Sequence, residues 1–211
     1  MMTRVKICGT TLHEDASLAV ELGAAAIGFN FYEPSPRYVE PENAAEIVAK
    51  IPPLVAAVGV FADETVGSRV ASIARAASVS VIQLHGPRFP KDLESLTGYR
   101  LIRAVPVGPD FDPATLQTLP LDAFLLDSLD PVRIGGTGKK IDWNLARSAA
   151  EMGKTIILAG GLTPENVGEA IRRVRPFGVD VASGVESAPG IKDRRKLRAF
   201  FAAVAEADGE H

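Results

Sequence analysis

The sequence predicts an α/β chain closed as a (β/α)8 barrel, the TIM-barrel class, and three observations carry that prediction. Short β-branched runs alternate with longer amphipathic stretches about eight times along the chain. Dividing 211 residues among eight units leaves about 26 per unit, compact but enough for a strand and its crossover. Polar and ionisable residues recur at the C-terminal ends of the strand runs, where such barrels place their chemistry.

Strands are predicted over Arg4–Cys8, Ala26–Asn30, Val55–Val60, Val81–His85, Leu101–Val105, Ala123–Asp127, Thr155–Ala159 and Val179–Ala182. Helices are predicted over Glu14–Leu22, Pro41–Lys50, Val66–Ala76, Asp142–Met152, Pro164–Val174 and Lys192–Ala205. Pro41, Pro113 and Pro164 mark first turns, where a missing N–H costs nothing, and Thr163 is a candidate cap. Strand–helix alternation implies parallel strands joined by right-handed crossovers. An open doubly wound sheet rarely needs so many compact units, and no Gly-x-Gly-x-x-Gly turn follows a strand here. No linker or composition break divides the chain. It reads as one domain over residues 1–207 with a frayed tail, Asp208 to His211.

Composition narrows the function classes. Hydrophobic residues at 46% and charged ones at 23% are the balance of a globular protein. A net charge of −3 provides no basic surface, so nucleic acid is not an expected partner. The N-terminus lacks the apolar core of a signal peptide, and no run of about 18 apolar residues exists to span a membrane. Cys8 is the sole cysteine, which excludes an internal disulfide and a cysteine-based metal cluster. The cytoplasm is the expected compartment, and no metal site or cofactor is expected.

Side chains alternate along a strand, so one parity faces the helices and the other the lumen. Taking Val5 and Ile7 as helix-facing sends Lys6 and Cys8 inward; Ile82 and Leu84 do the same for Gln83 and His85. By the same rule Ile102 and Ala104 pack outward and Arg103 inward. Phe124 and Leu126 send Asp127 inward, and Val179 and Val181 send Asp180 inward. Barrel interiors are otherwise filled with apolar side chains, and buried charge is costly. So many inward polar groups predict a binding or catalytic pocket.

Two glycine-bearing turns follow the seventh and eighth strands: Gly160-Gly161 before Thr163-Pro164, and Ser183-Gly184 after Ala182. Glycine lets backbone N–H groups approach an anion, and these are the loops that hold phosphate in phosphate-binding barrels. Gly160, Gly161, Ser183 and Gly184 are therefore the expected phosphate contacts.

Further blocks occur in order. Lys6-Ile7-Cys8-Gly9 opens the chain, then Gly28-Phe29-Asn30-Phe31, Ser35-Pro36-Arg37-Tyr38-Val39, Val58-Gly59-Val60-Phe61 and Gln83-Leu84-His85-Gly86. Leu126-Asp127-Ser128, Gly135-Gly136-Thr137-Gly138 and Ile141-Asp142-Trp143 follow, and Glu165-Asn166-Val167, Val179-Asp180, Ser183 to Ser187 and Gly190-Ile191-Lys192-Asp193 complete the series. From end to end this resembles the phosphoribosylanthranilate isomerase family of tryptophan biosynthesis. Ala182 stands where many relatives carry serine, and Ile141 where an aromatic residue is usual. Neither departure removes a group with a chemical role.

The resemblance implies a cofactor-free Amadori rearrangement of a phosphosugar, in which an acid opens the furanose ring and a base removes the C2 proton. Cys8 carries over as the base; Lys6 on the same face favours its thiolate. Asp127 carries over as the acid and must have its pKa raised to serve near neutral pH. Arg37 carries over as the contact to the anthranilate carboxylate, which its guanidinium fork suits. Asp180 is expected to bond the amine or a sugar hydroxyl, and Lys6, His85 and Arg103 to line the pocket. The implied assembly is a monomer or homodimer. Among rivals, the related histidine-pathway isomerases resemble barrels with two catalytic aspartates, against which Cys8 argues. A non-catalytic phospho-ligand sensor would keep the glycine turns but has no use for both Cys8 and Asp127.

Overall fold

The computed structural model describes residues 2–119, 121, 123–128 and 141–209, so the Gly135 to Gly138 block lies outside the described residues. Eight parallel strands pair in sequence order and close into a barrel. They are β1 (Arg4–Ile7), β2 (Ala26–Asn30), β3 (Ala56–Ala62), β4 (Val81–His85), β5 (Arg100–Val107), β6 (Ala123–Ser128), β7 (Thr155–Leu158) and β8 (Gly178–Val181). A short antiparallel hairpin follows, β9 (Glu186–Ala188) with β10 (Ile191–Lys192). The barrel strands lie within about two residues of the predicted bounds, the ordinary uncertainty of strand ends.

The outer layer is α1 (His13–Glu21), α2 (Pro41–Val48), α3 (Gly67–Ala76), α4 (Trp143–Glu151), α5 (Val167–Val174) and α6 (Arg194–Gly209). Among the described residues, only 3-10 turns, Leu93–Leu96 and Pro113–Thr118, stand between β4 and β5 and between β5 and β6. Pro113 thus starts a 3-10 turn, whose first donors are met by the Asp112 carboxylate accepting from Ala114 N at 2.9 Å. Helical periodicity explains the packing. Val167, Ala170, Ile171 and Val174 form the buried stripe of α5, and Leu197, Phe200, Val204 and Ala207 that of α6.

Several expected boundaries shift. The α5 helix starts at Val167, not Pro164, and the Thr163 side chain does not cap it. Asn166 closes the preceding turn instead: its Oδ1 accepts from Thr163 N at 2.8 Å and its Nδ2 donates to Gly161 O at 2.9 Å. The last helix begins at Arg194, capped by Asp193, which leaves Lys192 in β10. It runs on through Gly209, so Asp208 is not frayed; its carboxylate accepts from Thr3 N at 2.7 Å and Thr3 Oγ1 at 2.6 Å.

Registered residues on parallel strands share a face, and this fixes what enters the lumen. Lys6 pairs with Asp180 and Ala62 with His85, all on the inner face. The expected parity of β5 is overturned. Arg103 registers with Leu84 and Phe124, both in the helix-side core, whereas Ile102 and Ala104 belong to the lumen core with Val58, Leu125 and Ile157. The Arg103 guanidinium donates to Leu84 O at 3.0 Å and Gly86 O at 2.6 Å and stacks 4.2 Å from the Phe89 ring. Arg103 is a buried strut behind the β4 end, not a lumen residue.

Candidate active site

The C-terminal ends of the strands surround one opening. Cys8, Arg37, His85, Asp127, Asp180, Gly160, Gly161, Ser183 and Gly184 all line it. Of the predicted site residues, Arg103 is absent for the reason above. Lys6 lies one layer below the mouth, buried, with its Nζ donating to Asp180 Oδ1 at 2.8 Å.

Cys8 follows β1, its N–H donating to Val181 O at 2.9 Å, which fixes the thiol over Lys6. Gly28 on the adjacent strand leaves the space this needs. A Cβ there would stand 3.1 Å from the Cys8 sulfur and 3.2 Å from Lys6 Cε. Burial pushes the Cys8 thiol up and Asp180 adds to this, while the Lys6 and Lys192 charges oppose it. Burial also works against the Lys6 ammonium, but Asp180 and Cys8 outweigh it and hold Lys6 at about 12, firmly charged.

Asp127 stands at the end of β6. Its Oδ1 accepts from Ser128 N at 2.8 Å, and its Oδ2 faces His85 Nε2 at 3.9 Å. Burial pushes its carboxyl up to about 6; the Ser128 N–H opposes the shift and the Asp180 charge reinforces it. Burial, with Arg103 and Lys6 nearby, lowers His85 to about 4, so at neutral pH its ring is uncharged. An uncharged His85 supplies no field to ionise Asp127, and the two shifts are mutually consistent.

Arg37 reaches the mouth from the loop after β2. Asn30 Oδ1 accepts from Tyr32 N at 2.9 Å, and Ser35 Oγ accepts from Asn30 Nδ2 at 3.0 Å and Arg37 N at 3.2 Å, so the strand end itself folds the loop. The guanidinium is held bidentately by Glu186, Nε to Oε1 at 3.0 Å and Nη2 to Oε2 at 2.7 Å.

The glycine turns are close-packed. Gly160 has φ +81°, and a Cβ there would stand 2.7 Å from Ser128 N, so only glycine lets the β7 loop lie against the end of β6. A Cβ on Gly184 would overlap the Leu162 carbonyl oxygen, so the β7 and β8 loops meet backbone to backbone.

Three residues emerge that the sequence reading left without a role. Glu186 and Lys192 are buried ionic partners beside the mouth. Gln83 faces the mouth with its amide oxygen buried and without a partner among the described residues. Inward parity places Gln83 in the lumen; Glu186 and Lys192 fall within the blocks that carry the family resemblance, but nothing local gives either of them a role.

A closed parallel barrel with its ionisable groups collected at the C-terminal strand ends defines a (β/α)8-barrel enzyme. Residues 5–203 match the family model described as N-(5'phosphoribosyl)anthranilate (PRA) isomerase. An N-(5'-phosphoribosyl)anthranilate isomerase of Trichlorobacter lovleyi is 46% identical over 206 residues, covering 98% of this chain and 100% of that protein. A solved phosphoribosyl anthranilate isomerase from Thermus thermophilus has a TM-score of 0.89 at 40% identity, covering 97% of this chain and 99% of its own. Another solved isomerase, in complex with reduced 1-(o-carboxyphenylamino)-1-deoxyribulose 5-phosphate, has a TM-score of 0.84 at 38% identity, covering 97% and 100%. The chain belongs to the N-(5'-phosphoribosyl)anthranilate isomerase family.

Proposed function

We propose that the chain converts N-(5-phosphoribosyl)anthranilate to 1-(2-carboxyphenylamino)-1-deoxyribulose 5-phosphate in tryptophan biosynthesis, with Asp127 as general acid and Cys8 as general base. The observation that carries this is that both groups line one mouth while Asp127 is held up at about 6. Its Oδ1 is occupied by Ser128 N–H, so the proton resides on Oδ2, free to pass to the furanose ring oxygen. Ring opening leaves an iminium, whose positive charge acidifies C2–H. The Cys8 thiolate, favoured by the Lys6 charge beneath it, then takes that proton. Loss of the C2 proton gives an enamine, and its tautomerisation gives the aminoketose.

Arg37 keeps donors beyond those given to Glu186 and takes the anthranilate carboxylate. The backbone of Gly160-Gly161 and Ser183-Gly184 cradles the phosphate. Asp180 holds the amine or a sugar hydroxyl, and His85 lines the sugar side as a neutral ring. No helix among the described residues is long and apolar enough to cross a membrane; the working compartment is the cytoplasm. The assembly is a monomer or a homodimer. Exposed Leu54 and Phe177, at the N-terminal rim of the barrel, are the apolar surface a second copy would cover.

The test is turnover of freshly prepared phosphoribosylanthranilate in buffer with chelator by the native chain and by Cys8→Ser. Rapid conversion by the native chain and a crippled variant are expected. A folded native chain that leaves the substrate unconverted would overturn the assignment of substrate.

A further inference from the structure

A chain of three charges runs beside the mouth, Lys192 and Glu186 buried and Arg37 partly so. Lys192 Nζ, fully buried, donates to Cys8 O at 2.5 Å, to Glu186 Oε1 at 2.9 Å and to Ala182 O at 3.4 Å. Glu186 passes the connection on to Arg37 through the bidentate pair. The stem of Arg37 lies over Gly9, where a Cβ would stand 2.6 Å from Arg37 Cδ. The hairpin that presents Lys192 is itself tied to α1, Asp15 Oδ2 accepting from Lys192 N at 2.8 Å. Carbonyls at the C-terminal ends of β1 and β8 and the guanidinium from the β2 loop are thus held at one ammonium.

Such an arrangement is poorly explained as a stabilising device. Burying an ion pair carries a desolvation cost that its attraction roughly balances, so apolar residues of similar volume would serve a scaffold as well. What a buried Lys192–Glu186 pair carried on to Arg37 by a bidentate contact provides is fixed geometry. We infer that Lys192 and Glu186 are positioning residues that lock Cys8 and Arg37 into one unit, so that the base and the carboxylate anchor keep a fixed separation on the anthranilate side of the substrate. This rests on the roles given above to Cys8 and Arg37. Lys6 below it on β1, Asp180 from the adjoining β8 and Lys192 from the hairpin are the charged groups acting on the Cys8 thiol. His85 and Asp127 line the same mouth.

Cys8 is the only cysteine, so alkylation by iodoacetamide reports on it alone. In Lys192→Met the pin and its charge are gone, and the alkylation rate at pH 8 falls threefold or more, a midpoint raised by roughly half a unit. Should the unpaired Glu186 unfold that variant, the double variant Glu186→Gln/Lys192→Met removes both charges together and is expected to show the same slowing. Separately, Glu186→Gln costs about tenfold in kcat/KM in the native background and little in Arg37→Leu, because contacting residues couple. An unchanged alkylation rate in a folded Lys192 variant overturns the lock on Cys8. Equal losses from Glu186→Gln in both backgrounds overturn the lock on Arg37. Failure of the underlying reading looks different: Cys8→Ser would retain turnover, whatever the alkylation rates.

Discussion

At its N-terminal end the barrel lumen is packed with Ala56, Val58, Ile102, Ala123 and Ile157, whereas at its C-terminal end it presents Cys8, His85, Asp127 and Asp180. The same strands build both ends with the same alternation, and only the identity of the inward residue changes along each strand. In β6 the inward series runs Ala123, Leu125, Asp127; in β4 it runs Val81, Gln83, His85. The apolar residues hold the strands together, while at the C-terminal end burial raises Asp127 and lowers His85. Substitutions at the two ends should therefore separate activity from stability.

The largest effect belongs to the mouth. Cys8→Ser and Asp127→Asn are each expected to lower kcat by roughly 10²–10⁴ with Tm nearly unchanged, as positioned acid–base groups contribute on that scale. Steady-state turnover beside thermal melting checks both halves. A large fall in Tm with either variant would erase the contrast between the ends.

The pH dependence sharpens the same point. Asp127 is pushed up to about 6 and the Cys8 thiol above its ordinary value, so under the roles proposed for them the active form carries its protons in the less populated arrangement. Below about 6 Asp127 is protonated and the thiolate fraction grows about tenfold per unit, so kcat/KM climbs with pH. Between about 6 and the thiol value, loss of protonated Asp127 cancels the gain in thiolate, and the profile is flat. Above the thiol value it falls. In Asp127→Asn the break near 6 should vanish, leaving a residual rate that climbs up to the thiol limb. A native profile that falls steadily from about 6 would place the base elsewhere than on a thiol with a raised pKa.

Strand alternation made Cys8, Asp127 and Asp180 legible, because their neighbours Ile7, Leu126, Val179 and Val181 truly belong to the helix-side core. The same rule failed at β5. There the lumen is itself apolar, so Ile102 and Ala104 resemble outward residues while packing inward, and an arginine between them looks like a site residue. The partners that satisfy Arg103, two backbone carbonyls and an aromatic ring, leave no trace in strand patterning. Lys192 was lost for a different reason. A lysine ahead of an amphipathic run reads as a solvated helix start, and charged residues are seldom fully buried. Its acceptor at Cys8 lies 184 residues away, a contact that only the closed barrel creates. The loop glycines were legible as turns, while the contacts that require them, Gly184 against Leu162 and Gly160 against Ser128, are products of the fold.

At the apolar end the expected effect moves from turnover to stability. Ile157→Ala removes a buried side chain of the lumen core and should cost about 2–5 kcal/mol in unfolding free energy, read by denaturant titration. Turnover of the folded fraction should stay within a few-fold of native. A loss in kcat comparable with that of Asp127→Asn would mean that the two ends are one mechanical unit.

The smallest effect on chemistry is expected at Arg103, the residue that sequence reasoning and structure place on opposite faces of β5. Arg103→Met keeps an apolar stem but removes the guanidinium that lies over Phe89 and leaves the carbonyls of Leu84 and Gly86 without that donor, worth roughly 1–3 kcal/mol when buried. The Arg103 charge also helps to lower His85, so the ring should titrate somewhat higher in the variant, measurable by NMR. Because the guanidinium does not line the mouth, kcat and KM near neutral pH should both stay close to native. An arginine projecting into the lumen would behave otherwise: its loss would raise KM for an anionic substrate sharply while leaving the β4 carbonyls, and hence Tm, untouched.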